Sequence, residues 1–213
     1  MSTKSERKSQ AERSALMQER ILTATLDCIY DYGFQNVSTN VVVRHAKISR
    51  GALLHHFPTK ESLIAASVGM LLVDEIALVR EKADAYHNHE LTIDDFVDFL
   101  WDRFSGRLFM ITIDFLSSAR TDPALREAIV PHSLGFHNSL NEIWSQFFVT
   151  KGSKPAEIEL LLNTTLCLMR GMGVQSIVRS DSLYFDSITD YWKRHLRETL
   201  KDAVPMSGIR VVK

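Results

Sequence analysis

The sequence predicts an all-α fold of about nine helices, and three observations carry that expectation. Proline and glycine are scarce, five and nine in 213 residues, so the chain has fewer helix interruptions than average usage would impose. Apolar residues recur at three- and four-residue steps through most of the chain, the spacing that lines one helix face. Only Ile209 to Val212, near the C-terminus, resembles a strand.

The elements follow in order. Residues 1–14 are polar without an apolar period and read as a mobile arm. From Leu16, the residues Ile21, Leu22, Thr25, Cys28, Ile29 and Tyr32 share a helix face that ends at Gly33. Ser38 and Thr39 can cap a short helix to Ala46, with Val42 and Val43 turned inward. Ala46-Lys47-Ile48 is a sharp turn, and Ser49 caps a second short helix, Arg50 to His56. Two short helices joined in this way are a helix-turn-helix candidate.

After Pro58, Thr59 caps a helix from Lys60 toward Ala85, followed by a polar loop from Ala85 to Glu90. Asp94 to Ala119 reads as one long helix with Gly106 as a kink. Pro123 opens a short helix, Pro131 starts or redirects the next, and Gly152 to Pro155 is a loop. The last two helices span about Pro155–Val178 and Leu183–Ala203.

Composition removes several function classes. With 45% hydrophobic and 24% charged residues, the chain can build a core without disulfides or metal. No apolar run approaches a membrane span of about 18 residues and the N-terminus is polar, so a cytoplasmic protein with no membrane role is expected. Cys28 and Cys167 sit in apolar-periodic segments and read as buried free thiols. The histidines form no closed ligand set, so no metal is expected. Without a Gly-rich phosphate loop, a Gly-x-Ser-x-Gly elbow or a His-Glu-x-x-His motif, neither a cofactor nor an enzyme is indicated.

The net charge of -1 hides an asymmetry. Residues 1–60 carry nine Lys and Arg against five Asp and Glu, whereas the remainder carries 16 against 21. A basic quarter on an acidic body suggests either an anionic partner for the N-terminal segment or a solvated charged face.

The pieces Ile21-Leu22, Ala24, Tyr32-Gly33-Phe34, Ser38-Thr39, Ala46-Lys47-Ile48-Ser49, Arg50-Gly51-Ala52-Leu53 and His55-His56-Phe57-Pro58-Thr59-Lys60-Glu61 stand in a fixed order. In that order and spacing, Ile21 to Ser67 closely resembles the DNA-binding domain of TetR-family transcriptional regulators. Beyond it the resemblance rests on helix count and length, on Thr121 to Arg126, and on the Arg170-Gly171 helix. It implies a helix-turn-helix DNA-binding domain over 15–75, with its motif at about 38–57, and a larger ligand-binding and dimerisation domain over 76–205. Residues 206–213 are left as a tail. Two departures stand out. Lys47 occupies a turn position where the family usually has Gly, so a left-handed backbone there carries a cost. Leu54 replaces a common Tyr and either presses a thymine methyl or packs.

The resemblance implies the following site. Arg50, Gly51, Ala52, Leu54 and His55 face base edges or phosphates in the major groove, while Ser38, Thr39, Lys47, Ser49, His56 and Lys60 meet the DNA backbone. Trp101, Arg107, Met110, Asp114, His137, Trp144 and Met169 are candidates for a small-molecule pocket, with Arg107 orienting the ligand; each also reads as plain core. Leu166, Gly173, Ile177, Ile188, Trp192 and Leu196 are expected at a homodimer interface of the last two helices, or buried within one chain. The implied function is a sequence-specific regulator of double-stranded operator DNA, a repressor released by a small-molecule effector. Release would work by shifting the Lys60–Ala85 helix and with it the spacing of the two recognition helices. The competing reading is a helical small-molecule-binding protein or enzyme without DNA-binding activity.

Overall fold

The computed structural model describes residues 9–148 and 154–200. The expected strand at Ile209–Val212, the tail from 206, the arm before residue 9 and most of the Gly152–Pro155 loop lie outside them. Among the described residues nine α-helices follow one another: α1 (Gln10–Tyr32), α2 (Thr39–Ala46), α3 (Arg50–His56), α4 (Lys60–His87), α5 (Ile93–Ser105), α6 (Arg107–Ala119), α7 (Pro123–Phe148), α8 (Pro155–Ser176) and α9 (Ser182–Leu200), with a 3-10 turn at Phe34–Asn36.

The chain divides into two compact units. One holds the described residues up to Leu71 together with Ile111–His132; the other holds Leu72–Met110 and the described residues from Ser133 onward. The boundary therefore differs from the expected break after residue 75. The second half of α6 and the start of α7 belong with the N-terminal helices.

In the first unit α1 packs on α2, and α2 on α3. Its core includes Ile21, Cys28, Ile29, Phe34, Val42, Leu53, Leu63 and Ile64, with Ile111, Phe115, Leu125 and Ile129 from α6 and α7. Burial of such side chains contributes about 1.5–3 kcal/mol each, which is what holds short helices such as α2 and α3 that would not persist alone. The polar tie from α6 is specific. Asp114 Oδ2 accepts the Phe34 N–H at 3.1 Å, and Gln35 donates to Ser118 Oγ at 2.9 Å.

The second unit is built around α5, which packs against α8 and α9. Phe96, Val97, Leu100, Leu140, Ile143, Trp144, Leu162, Leu166, Met169, Trp192 and Leu196 form one continuous core. Trp192 donates its indole N–H to Thr165 Oγ1 at 3.0 Å, joining α9 to α8. Glu75, only 3% exposed, is neutralised by a two-pronged contact from Arg103, with Nη2 at 2.8 Å and Nε at 3.0 and 3.1 Å. An unpaired carboxylate at that depth would be strongly destabilising.

Several expected boundaries move. Residues 10–14, assigned to the arm, are helical: Ser9 Oγ accepts the Glu12 N–H at 3.2 Å and Glu12 takes the Ser9 N–H, a capping box that starts α1 without an apolar period. The α4 helix runs to His87, through the first three residues of the expected loop. The single helix expected over 94–119 is two, because Gly106 takes an extended backbone at φ -101, ψ -167. A Cβ there would stand 2.8 Å from the Asp102 carbonyl oxygen. Conversely, Pro131 breaks nothing and sits inside α7, on an exposed face where solvent has access to the carbonyl that loses its helical partner. Cys28 is buried as expected, but Cys167 is exposed.

Contrary to the expectation that no segment approaches a membrane span, α4 contains an 18-residue window that is long and apolar enough for one. Its apolar residues Leu63, Ile64, Val68, Leu72, Val79 and Ala83 are instead buried within the units of this chain.

Candidate nucleic-acid interface

The segment from Gly33 to Lys60 is held by four local devices. Gly33 ends α1 at φ +76, donating its N–H to the Ile29 carbonyl at 2.9 Å, a conformation that side-chain-bearing residues rarely adopt. Ser38 caps α2, its Oγ accepting the Val41 N–H at 3.4 Å. Ser49 caps α3, accepting the Ala52 N–H at 3.1 Å. Between them Lys47 lies in the left-handed region at φ 52, ψ 50. Its N–H reaches the Arg44 carbonyl and the next N–H, Ile48, reaches Val43, both at 3.2 Å. The turn closes α2 as a glycine would, at a conformational cost of about 1–2 kcal/mol for an L-residue.

These devices give α3 an inner and an outer face. Leu53 is fully buried while Arg50, Gly51, Leu54 and His55 are exposed. Ala52 and His56 are half-buried, and the His56 ring lies against Phe57 with centroids 6.4 Å apart. Gly51 is informative because its own chain does not require it. A Cβ at that position would meet nothing closer than Ser49 Oγ at 3.9 Å. Glycine inside a helix costs about 1 kcal/mol relative to alanine, so the space it leaves faces outward, toward whatever α3 approaches.

Around this face stand further cations. Lys47 is exposed and Lys60 half-buried; the Lys60 ammonium lies 5.2 Å from the centre of the Phe34 ring. Phe34 is itself pinned by Asp114 through its N–H. Ser38 and Ser49 are exposed and Thr39 half-buried, so the helix starts they occupy are open to solvent. Sequence reasoning did not assign Arg44. It is exposed on α2 and lines a groove of about 680 Å3 with Tyr32, Asn36, Val41 and His45. The basic count of the N-terminal quarter contained Arg44, but no motif singled it out. His45 in turn stands 3.5 Å from Asp27.

The residues expected at a small-molecule pocket are dispersed. Asp114 belongs to the first unit and its carboxylate is occupied by the Phe34 amide, whereas the other six are in the second unit. Trp144 and Met169 are 2% and 0% exposed in the core, leaving no surface for a ligand to touch. Arg107 opens α6 on the solvent side, which removes the reason to read it as a buried cation awaiting a ligand. Trp101, Met110 and His137 remain half-buried. The Trp101 ring is also packed against Phe185 at 5.1 Å.

The expected dimer residues also divide. Leu166, Trp192 and Leu196 are buried within the chain, and Gly173 packs against Phe104 and Phe109 of its own chain. These four are corrected to intrachain core. Ile177 is exposed and Ile188 half-buried. The open apolar surface of α8 and α9 is instead formed by Leu160, Val174, Ile177, Val178, Leu183 and Tyr191.

Residues 21–67 match the model of bacterial regulatory proteins of the tetR family. Over 182 residues the chain is 28% identical to the HTH-type transcriptional regulator CymR of Pseudomonas putida, covering 85% of this chain and 90% of that one. A shorter match, 29% identical over 94 residues, joins it to the HTH-type transcriptional regulator UidR of Escherichia coli K12, with 44% and 48% covered. Among solved structures, a protein of Mesorhizobium loti assigned to the TetR family superposes with a TM-score of 0.70 at 14% identity, covering 88% of this chain and 98% of that one. The multidrug binding protein EbrR, complexed with imidazole, superposes at 0.58 and 17% identity, with 89% and 97% covered. At these identities the structural likeness speaks for the fold.

Proposed function

We propose, from the match of residues 21–67 to the tetR family of bacterial regulatory proteins and the 28% identity to CymR over 85% of the chain, that this is a cytoplasmic homodimeric repressor of that family that leaves a pseudo-palindromic operator when a small molecule binds its second unit. The observation that carries the DNA-binding part is the outer face of α3. Arg50 and His55 offer hydrogen-bond donors there, and Gly51 gives up helix stability where no residue of the chain needs the space. Ser38, Thr39, Lys47, Ser49, His56 and Lys60 are assigned to the phosphates that set its register, while Ala52, like Gly51, keeps the approaching surface of α3 small.

The reading that two copies pair is supported by the exposed apolar residues on and just beyond α8 and on α9, since exposed apolar surface that gathers in one place marks interaction sites. For the effector, EbrR is named as a multidrug binding protein. The corresponding candidates in this chain are the half-buried Trp101, Met110 and His137. Because α4 and α6 each carry residues of both units, a ligand that favours one arrangement of these helices can shift the population competent for DNA. Ligand affinity must differ between the two arrangements for any shift to occur.

The test uses the full chain and a pool of random duplexes. Selection enriches a two-fold symmetric site whose binding weakens steeply with salt. Arg50→Ala costs about 1–3 kcal/mol per half-site and relaxes one base pair. A chain that enriches no duplex even at low salt is not a DNA-binding regulator.

A further inference from the structure

The large hydrophobic residue left exposed on α2 and α3 is Leu54, at 38% against 0% for its neighbour Leu53. It sits on the same open face as Arg50, four residues earlier, and His55, one later. Leu53 and Phe57 fill the inner side of α3, and Leu54 leaves more than a third of its surface open beside them. It is also too isolated to be a protein-docking patch, because its exposed neighbours on α3 are Arg50, Gly51 and His55.

We propose that Leu54 is a sequence-reading residue that recognises the 5-methyl group of a thymine in the operator major groove. This rests on the DNA-binding reading above and adds to it the base that one side chain selects. The chemistry leaves Leu54 little choice. It can neither donate nor accept a hydrogen bond, so of the features displayed on major-groove edges it can score only the methyl that thymine carries and cytosine lacks. Gly51, one turn back, lets the helix backbone come close enough for a branched four-carbon side chain to reach that methyl.

The experiment takes the duplex enriched by the full chain and replaces its thymines one at a time by uracil, which deletes the methyl and leaves every hydrogen-bonding group in place. At one thymine per half-site, uracil weakens wild-type binding about fourfold, the worth of one buried methyl. Leu54→Gln, of similar length, binds thymine and uracil equally at that position, whereas Leu54→Met keeps part of the preference. Thermal melts of both variants matching wild type remove misfolding as a cause. Tight, salt-sensitive binding in which no uracil position depends on residue 54 overturns the proposal and leaves the DNA-binding reading standing. Failure to enrich any duplex overturns both.

Discussion

A Cβ placed on Gly173 would collide with the carbonyl oxygen of Phe104 and stand 2.8 Å from the Phe109 ring. There α8 meets the end of α5 and the start of α6 with no room for a side chain. The glycine is thus explained inside one chain, where the apolar periodicity of α8 had suggested a crossing between two subunits.

Gly173→Ala accordingly attacks the fold. Alanine would gain about 1 kcal/mol of helix propensity, but the nearest obstacle is backbone, which cannot swing aside as a side-chain end can. A net loss of about 1–3 kcal/mol is expected. Urea melts read it directly, and a variant as stable as wild type would show that α8 can draw back from Phe104 at no cost.

The same pair of helices shows what could be read in advance. Caps and turns were legible because each is a local device with its own residue types: Ser38, Ser49 and the left-handed turn at Lys47 stand where the sequence put them. Periodicity likewise identified the apolar residues of α8 and α9. It could not say which covering would bury a given stripe, and so the inward Leu166, Trp192 and Leu196 were assigned outward. Asp114 reads as a pocket residue rather than as a structural tie for a related reason. Its partner, the Phe34 amide, lies 80 residues away, and no spacing rule connects them. Gly106 and Pro131 mark a third limit, since the breaker that ends a helix here is the glycine and the proline is carried within one.

Lys47 is the place where stability and DNA affinity should separate. Its left-handed backbone, φ 52, is one that glycine adopts freely, so Lys47→Gly is expected to raise stability by about 1 kcal/mol. If its ammonium meets a phosphate, the same change makes the salt dependence of operator binding shallower by about 0.9 in log-log slope. Thermal melts and titrations at several salt concentrations check the two halves independently. A stabilised variant with an unchanged slope would return Lys47 to the solvated surface.

The pairing surface has a sharper test, because Gly171 and Gly173 lie about 200° apart around the same helix. Around Gly171 a Cβ meets nothing within 4 Å. Leu160, Thr164, Cys167, Gly171 and Val174, all exposed, share its stripe at alternating steps of four and three, the spacing by which one helix seats against another. If a second copy covers this stripe, Gly171→Leu splits the dimer while leaving the melting of the isolated chain unimpaired, the reverse of Gly173→Ala. Sedimentation at several concentrations separates the two outcomes. The thiols supply an independent reading without mutation. Cys28 is buried, and that burial, with Asp27 and Asp31 nearby, pushes its thiol up from the ordinary range, so it resists labelling until the chain unfolds. Cys167 lies on the stripe itself, and its labelling by a maleimide should slow as protein concentration rises through the dimer dissociation constant. A labelling rate independent of concentration, in a sample that sedimentation shows to be dimeric, would place the interface on another face of the molecule.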